Sequence, residues 1–229
     1  MKTIGLIGGI SWISTIEYYR LLNQMVNERL GGVSAAKIIL YSLNFAEIKE
    51  LTEAGDWLQI ERLVSGAAKK IEDAGASCLM IGANTMHKIA DEVQSAISIP
   101  LIHVAEETAK EIVKHRQTTV ALLGTKYTMQ LDFYTKKLAA KNISTIIPGE
   151  EDIEFINNSI YTELGRGQFL PATKERFLRI IDKLALQGAE GAILGCTEIP
   201  LLLSQDDCPI RLYDTTQIHS RAAVEFGLQ

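Results

Sequence analysis

Two stretches of the sequence look like copies of one another: MIGANTMH at residues 80–87 and ILGCTEIP at residues 193–200. Each follows a segment rich in glycine and alanine, runs through apolar residues, and breaks into a turn of small hydroxyl-bearing and amide-bearing residues. A short, uniformly apolar run of this kind is typical of a parallel β-strand covered on both faces. We therefore expect two buried strands that deliver polar groups at their carboxyl ends.

Strand-like and helix-like segments alternate along the rest of the chain, which predicts an α/β architecture with parallel sheets. An apolar run at Lys2–Leu6 opens the chain. The segment Ser14–Glu17 then matches the Ser-x-x-Glu capping box, and predicts that Ser14 caps the first helix. We expect this helix to bury one face, made of Ile16, Tyr19, Leu22 and Met25.

The two halves of the sequence share more than these turns. TIGLIGG at residues 3–9 resembles TVALLGT at residues 119–125, and each is followed by a turn containing Ser or Thr and by a helix containing Tyr. The spacing to the later turn is also similar: 75 positions from Gly8 to Ala83, and 72 from Gly124 to Cys196. This near-equality predicts two pseudo-symmetric α/β domains.

We expect the active site to lie in the cleft between these domains, because ligands of open α/β sheets bind beyond the carboxyl ends of the strands. The first domain is predicted to consist of residues 1–102 together with the C-terminal segment 209–229. The second is predicted to span residues 103–208.

Composition narrows the functional classes. The chain has 229 residues, of which 47% are hydrophobic, and no apolar run approaches the roughly 20 residues that span a bilayer. The start MKTIGLIGG lacks the h-region of a signal peptide, so we expect a cytoplasmic protein with no membrane association. The net charge of −5 and the scattered Lys and Arg residues argue against nucleic acid and favour a small-molecule substrate.

Cofactor motifs are missing from the sequence. The glycines Gly5, Gly8 and Gly9 do not form a Gly-x-Gly-x-x-Gly fingerprint, and there is no P-loop lysine. The four histidines have no metal-ligand spacing, and the three cysteines form no Cys-x-x-Cys pair. We therefore predict neither a metal nor a nucleotide cofactor.

Cys196 is the candidate for acid/base or nucleophilic chemistry. It directly follows a predicted buried strand and precedes a predicted helix, where backbone amides and the helix dipole favour a thiolate. The alternative is a small buried residue that only packs. Cys78, inside a strand, and Cys208, before Pro209, are assigned to that structural role.

Polar residues at the predicted strand ends are expected to bind a carboxylate through hydroxyl, amide and backbone N–H groups: Asn84, Thr85, Thr125 and Thr197. Each is also a common helix cap. Ser11 and Ser14 are further candidate donors, although Ser14 is also the predicted helix cap. Arg166, between two glycines, fits either a bidentate carboxylate contact or a simple exposed arginine. His219 fits either support of the thiol or a structural role.

Taken together, these motifs resemble the aspartate/glutamate racemases, a family of cofactor-independent amino-acid racemases. Gly8–Trp12 with Ser14-Thr15 is similar to the family's opening Gly-Gly-Met-Ser-Trp-x-Ser-Thr, and Asn84–His87 is similar to its Cys-Asn-Thr-x-His turn. Gly195–Glu198 looks like its second cysteine motif. Because Leu123–Thr125 and Asp214–His219 also fit, the resemblance covers essentially the whole chain.

The resemblance implies two pseudo-symmetric α/β domains, usually in a homodimer, with neither pyridoxal phosphate nor metal. It also implies a two-base mechanism, in which one cysteine removes the α-proton of the amino acid and the other donates to the opposite face. The predicted carboxylate donors would hold the substrate, together with the backbone around Ser11. Arg166 stands near the position where some members carry a lysine for the side-chain carboxylate.

This sequence departs from the family pattern at Ala83, which occupies the place of the first cysteine and has no proton to exchange. The glutamate of the family's opening motif is likewise replaced, by Ile13. We expect slow or absent racemisation, with Cys196 as the surviving acid/base. The alternatives are an isomerase or decarboxylase that uses Cys196 as nucleophile on a small dicarboxylate, and a binding protein that keeps the carboxylate site without turnover.

Overall fold

A computed structural model describes all 229 residues, which form two compact units. The first comprises Met1–His103 together with His219–Gln229, and the second comprises Val104–Ile218. Each unit is built around its own parallel β-sheet with helices on both faces. The predicted α/β class with parallel sheets is therefore confirmed.

The first unit contains a three-stranded sheet in the order β2-β1-β3. Its strands are β1 (Ile4–Gly8), β2 (Ile38–Ser42) and β3 (Cys78–Ile81). Its helices are α1 (Trp12–Leu30), α2 (Phe45–Ala54), α3 (Trp57–Asp73) and α4 (Ala90–Ser95), with a 3-10 helix at Thr85–Ile89 before α4. Two apolar clusters cover the sheet, one of them containing Ile60 and Val64 of α3 and the other Tyr18 and Leu22 of α1.

The second unit contains a four-stranded sheet in the order β5-β4-β6-β7. Its strands are β4 (Thr119–Gly124), β5 (Ser144–Ile146), β6 (Gly191–Gly195) and β7 (Arg211–Asp214). Its helices are α5 (Val104–Lys114), α6 (Lys126–Gln130), α7 (Asp132–Ala139), α8 (Glu150–Thr162), α9 (Pro171–Leu186) and α10 (Ile199–Leu202), with 3-10 helices at Leu164–Arg166 and Gln205–Asp207. The last helix, α11 (Thr215–Gly227), begins in this unit and ends in the first.

The two sheets repeat the same strand order. In each, the first strand in the sequence lies between the second and the third, so β2-β1-β3 corresponds to β5-β4-β6. The fourth position is also occupied in both sheets: Leu101 forms a parallel bridge with Leu79 of β3, and β7 pairs with β6. This correspondence is the structural counterpart of the repeat in the sequence.

The boundary near the C-terminus differs from the expected one. Residues 209–218 do not join the first domain, because β7 hydrogen-bonds in parallel with β6, with Leu194 opposite Asp214. Only the part of α11 from His219 onward belongs to the first unit, where Ala223 and Val224 are fully buried in the cluster around β1 and β3. The earlier boundary falls after His103.

Helix α1 corrects the predicted cap and the predicted buried face. Ser11, not Ser14, is the N-cap, and its side chain accepts the backbone N–H of Ser14. Thr15 turns inward because its hydroxyl accepts the N–H of Gly9 at 2.7 Å and donates to the Ser11 carbonyl at 2.8 Å. Leu22 is fully buried as predicted, whereas Ile16 and Tyr19 are 57% and 56% exposed, and Thr15 is buried in their place.

The turn after β1 requires glycine at position 9. Gly9 has a φ of +83°, and a Cβ there would lie 2.0 Å from the Leu43 carbonyl oxygen. We expect Gly9→Ala to lower the free energy of unfolding by at least about 2 kcal/mol, from backbone strain and the displaced Leu43 loop. Urea unfolding followed by circular dichroism measures the change.

Gly66→Ala is the matched control. Gly66 lies inside α3, and a Cβ there would meet no atom within 4 Å. Because alanine is the better helix former, this variant should be as stable as the wild type or up to about 1 kcal/mol more stable. Equal destabilisation of the two variants would contradict the argument.

Candidate active site

The first unit brings two of the predicted turns to one edge of its sheet. Strands β1 and β3 are parallel neighbours, with Ile7 opposite Ile81, and the N–H of Gly82 donates to the Ile7 carbonyl at 2.8 Å. The Ser11 turn and the Ala83 turn therefore follow adjacent strand ends. Ser11, Ala83 and Asn84 are buried. Thr85 is half-buried at the start of the 3-10 helix.

His87 holds the backbone of the Ala83 turn. Its Nδ1 lies 3.0 Å from the Ala83 carbonyl oxygen. A carbonyl oxygen accepts hydrogen bonds only, so Nδ1 carries the proton of this contact. The ring is buried beside those of His103 and His219, at centroid distances of 4.7 and 5.6 Å.

His219 has both ring nitrogens engaged within the first unit. Its Nε2 donates to the Ile102 carbonyl oxygen at 2.7 Å, so its Nδ1 accepts the hydroxyl of Tyr18 at 3.0 Å. Burial, with a smaller contribution from His87, lowers the pKa of His219 to about 3. These contacts favour the structural role over support of the thiol.

The second unit repeats the arrangement with closer packing. Gly124 and Gly195 are opposite one another in the ladder between β4 and β6. A Cβ on Gly124 would lie 2.8 Å from the Gly195 carbonyl oxygen, and one on Gly195 would lie 2.8 Å from the Leu123 carbonyl oxygen. The glycines permit this approach, and the next residues, Thr125 and Cys196, follow neighbouring strand ends. Thr125 is buried and caps α6 by accepting the N–H of Thr128.

Cys196 is paired with a carboxylate of its own turn. The Cys196 Sγ donates to Glu198 Oε2 at 2.9 Å, and the Thr197 hydroxyl donates to the same oxygen, also at 2.9 Å. All three residues are buried, with Cys196 8% exposed and Glu198 4% exposed. The thiol, the hydroxyl and the carboxylate thus form one hydrogen-bonded group, to which we refer as the thiol-carboxylate turn.

The electrostatics of this turn reverse the expectation of a thiolate. Burial and then the neighbouring Glu198 carboxylate raise the pKa of the Cys196 thiol well above its ordinary value. Hydrogen bonds from the backbone of Glu198 and Thr197 act in the opposite direction and are outweighed. Helix α10 begins only at Ile199 and has four residues, so its dipole is small. The resting thiol is protonated at neutral pH.

The remaining predicted residues lie elsewhere in the two units. Arg166 ends the short 3-10 helix between α8 and α9, and its side chain is exposed. Cys78 is buried within β3, where burial raises the pKa of its thiol to about 11. Cys208 is also buried, and burial raises the pKa of its thiol to about 11. Neither of these cysteines follows a strand end.

Sequence reasoning did not assign a role to Glu198 or to His87. Both belong to the quoted motifs, and each is close in the chain to the residue it contacts: Glu198 is two residues after Cys196, and His87 is four residues after Ala83. That proximity was an available signal for their contacts. Whether a side chain turns inward was not readable from the spacing.

No group of three or more His, Cys, Asp or Glu side chains is arranged to hold a metal ion. None of the helices combines the length and the apolar character needed to cross a bilayer.

The fold defines the class of the chain, an α/β protein of two units, each with a parallel sheet and with polar residues in the turns that follow equivalent strand ends. The comparison with known families agrees with this description. The sequence model of the Asp/Glu/Hydantoin racemase family matches residues 7–223, and the chain belongs to that family.

Two solved structures match the chain along its whole length. A candidate Asp/Glu racemase from Yersinia pestis is 45% identical, with a TM-score of 0.93 and complete coverage of both chains. An aspartate racemase homologue from Pyrococcus horikoshii OT3 is 36% identical, with a TM-score of 0.88 and again complete coverage. A broad-specificity amino-acid racemase from Bacillus subtilis is 24% identical over 72% of this chain and 71% of its own length.

The buried His219 predicts a pH dependence of stability. The unfolded chain binds a proton at this histidine below about pH 6.5, whereas the folded protein does so only near pH 3. Between these limits the unfolded state holds more protons, so stability falls as the pH falls, by at most about 1.4 kcal/mol per pH unit from this group. Urea unfolding at several pH values from 5 to 7 should give a shallower slope for His219→Gln than for the wild type, whatever the variant loses at pH 7. Identical slopes would show that His219 is not the group responsible.

Proposed function

We propose that this protein is an amino-acid racemase of the aspartate/glutamate class, independent of pyridoxal phosphate, in which Cys196 is the surviving acid/base and Ala83 impairs or alters the activity. One observation carries the proposal: a buried thiol at a strand end, 2.9 Å from a buried carboxylate. Membership of the racemase family supports the reaction type.

Proton removal from an amino-acid Cα needs two kinds of group. One must take or give the proton, and others must stabilise the charge that develops on the substrate carboxylate. We assign the first role to Cys196. For the second we propose the buried or half-buried polar residues of the strand-end turns: Ser11, Asn84, Thr85, Thr125 and Thr197. Arg166 stays a predicted contact for a side-chain carboxylate.

Ala83 determines how fast we expect racemisation to be relative to exchange of the α-proton. An alanine side chain can neither accept nor donate a proton, so the cysteine-based two-base route lacks one member. Exchange of the α-proton with retained configuration needs a single base, whereas inversion needs a proton delivered to the other face. We therefore expect exchange to be faster than racemisation.

Ala83 also favours a second candidate of a different class, a protein that binds an amino acid or small dicarboxylate on the racemase fold without turning it over. The enzyme alternative is an isomerase or decarboxylase in which Cys196 is a nucleophile on a small dicarboxylate. Like the proposed role as a base, it requires the thiol, whose pKa is raised, to lose its proton.

Exchange in heavy water separates these functions. D- and L-aspartate and glutamate are incubated with the protein in deuterium oxide, Cα deuteration is followed by NMR, and configuration is followed by chiral chromatography. Exchange with retention supports the single-base racemase, while binding detected by calorimetry without exchange supports the binding protein. Rapid inversion would refute the claim that Ala83 impairs racemisation.

Cys196→Ser should lower the exchange rate by at least about 10³-fold, because a serine hydroxyl is a far weaker acid than a thiol. The matched control is Cys208→Ser, which changes another buried cysteine of the second unit and should leave the rate near that of the wild type. Equal rates in Cys196→Ser and the wild type would remove Cys196 from the mechanism.

Ala83→Cys should raise the rate of inversion by about 10²-fold or more, because it supplies a second thiol at the turn where the family carries one. Ala83→Ser adds a side chain of similar size with no acidic proton at neutral pH, and should not raise it. The ratio of inversion to exchange is the measured quantity. An unchanged ratio in Ala83→Cys would show that position 83 does not deliver the second proton.

A homodimer and a cytoplasmic location stay predictions. Sedimentation velocity tests the first, and cell fractionation tests the second.

A further inference from the structure

We propose that an exposed apolar surface of the first unit is the site at which two copies of this chain associate. It consists of Trp12, Ile16 and Tyr19 on one side of α1, together with Leu40 of β2. We refer to these four residues as the α1 patch. The inference rests on the predicted homodimer, whose surface it names, and not on the proposed racemase activity.

Helix α1 is apolar on more than the side that packs against the sheet. Tyr18 and Leu22 lie on the packed side and are fully enclosed in the cluster that covers β1 and β3. Trp12, Ile16 and Tyr19 follow one another at spacings of four and three residues, which puts them together on a different side of the helix. Their side chains are 56–64% exposed. A second apolar side on a helix is typical of a surface that another molecule covers.

Leu40 extends this apolar side onto the edge strand of the sheet. A Cβ on Gly8 would lie 2.9 Å from Leu40 Cδ1 and 2.6 Å from Thr15 Cγ2, so the side chains of Leu40 and Thr15 are neighbours. Thr15 is three residues after Trp12 and four before Tyr19, the spacings at which helix residues adjoin on the surface. Leu40 is 44% exposed and therefore continues the patch.

The α1 patch is large enough to contribute the core of a dimer interface. With about 200 Å² for a fully exposed side chain of this size, the four exposed fractions amount to roughly 400 Å² in each copy. A contiguous apolar patch of this size is often a binding surface. Because about 65% of a homodimer interface is apolar, an interface centred on two such patches buries roughly 1,200 Å² in total. That area lies at the lower end of the range for specific, stable interfaces.

The surroundings of the patch favour a second copy as its occupant. The face is exposed with all 229 residues of the chain present, so no described segment covers it. None of the four side chains is charged. The charged residues beside them on α1 are bound to each other, since Arg20 Nε donates to Glu17 Oε2 at 2.9 Å. A strongly charged partner would find no opposite charge here, whereas two copies can meet without placing like charges against each other.

The order of the residues on α1 also suits a two-fold axis. If two α1 helices cross in antiparallel directions at Ile16, the two Ile16 side chains meet on the axis. Trp12 lies about one turn before Ile16 and Tyr19 about one turn after it, so Trp12 of each copy faces Tyr19 of the other. The interface would begin directly after Ser11, a residue to which we assign carboxylate binding.

Sedimentation velocity of the full chain between about 1 and 100 μM tests the proposal. The wild type should form a dimer within this range. Ile16→Glu should raise the Kd of the dimer by at least about 10²-fold, because it places two carboxylates at the two-fold axis with no opposite charge beside them. Since Ile16 is exposed, the variant should keep the circular dichroism spectrum of the wild type.

Leu58→Glu is the matched control. Leu58 belongs to the same unit and is also 57% exposed, but it lies on α3, which covers the opposite face of the sheet. Its replacement should leave the Kd of the dimer within about twofold of the wild-type value. Equal weakening by the two variants would show a general effect of added charge and would overturn the assignment of the surface.

Ile16→Cys tests the position of the axis. Added diamide joins thiols that meet at a two-fold axis, so this variant should give a covalent dimer on a non-reducing gel, and Leu58→Cys should not. The three native cysteines are buried. A wild type that stays monomeric, or a dimer that Ile16→Glu does not weaken, overturns the proposal. A dimer that forms through the patch but shows no α-proton exchange would refute the racemase activity and support the assignment of the surface.

Discussion

Both units depend on the close parallel pairing of two central strands at the point where they end. In the second unit the backbones of Gly124 and Gly195 approach so closely that a methyl group on either would lie 2.8 Å from a carbonyl oxygen of the opposite strand. In the first unit a Cβ on Gly82 would lie 3.1 Å from the Ile7 carbonyl oxygen. The next residues are Thr125 and Cys196 in the second unit, and Ala83 followed by the polar Asn84 in the first. Within each unit, the close approach of the two paired strands therefore brings the turns that follow them side by side.

Burial then decides the chemistry of those turns. A buried titratable group keeps its neutral form unless a partner stabilises the charge, and two groups follow this rule by different means. His219 stays neutral because it is fully enclosed and both its nitrogens have hydrogen-bond partners. Cys196 stays protonated because it is enclosed and because its hydrogen-bond partner, the Glu198 carboxylate, disfavours a negative charge on the sulfur. The first group is part of the packing of the first unit, and the second is the residue to which we assign proton transfer.

Much of the fold was predictable from the sequence. The repeat in spacing indicates two similar domains, and the uniformly apolar runs are typical of buried parallel strands. The family and the identity of Cys196, Thr197 and Asn84 as strand-end residues followed from the same motifs. The cap of α1 was not predictable, because Ser11 and Ser14 both fit a cap and only the inward bonds of Thr15 distinguish them. The ionisation of Cys196 was missed because it depends on the direction in which Glu198 turns, and the boundary at residue 209 was missed because β7 joins its sheet through long-range pairing.

Helix α11 gives the chain an unusual order of connection. The first unit is made of two segments, the N-terminal one and the last eleven residues, while the second unit is continuous. Within the first unit the two chain ends are hydrogen-bonded neighbours, since the N–H of Lys2 donates to the Gly227 carbonyl oxygen at 2.8 Å. A circular permutant that joins these ends and opens the chain between His103 and Val104 would make each unit a single uninterrupted segment. The discontinuity thus follows from the order in which the segments are connected, and not from how either unit is packed.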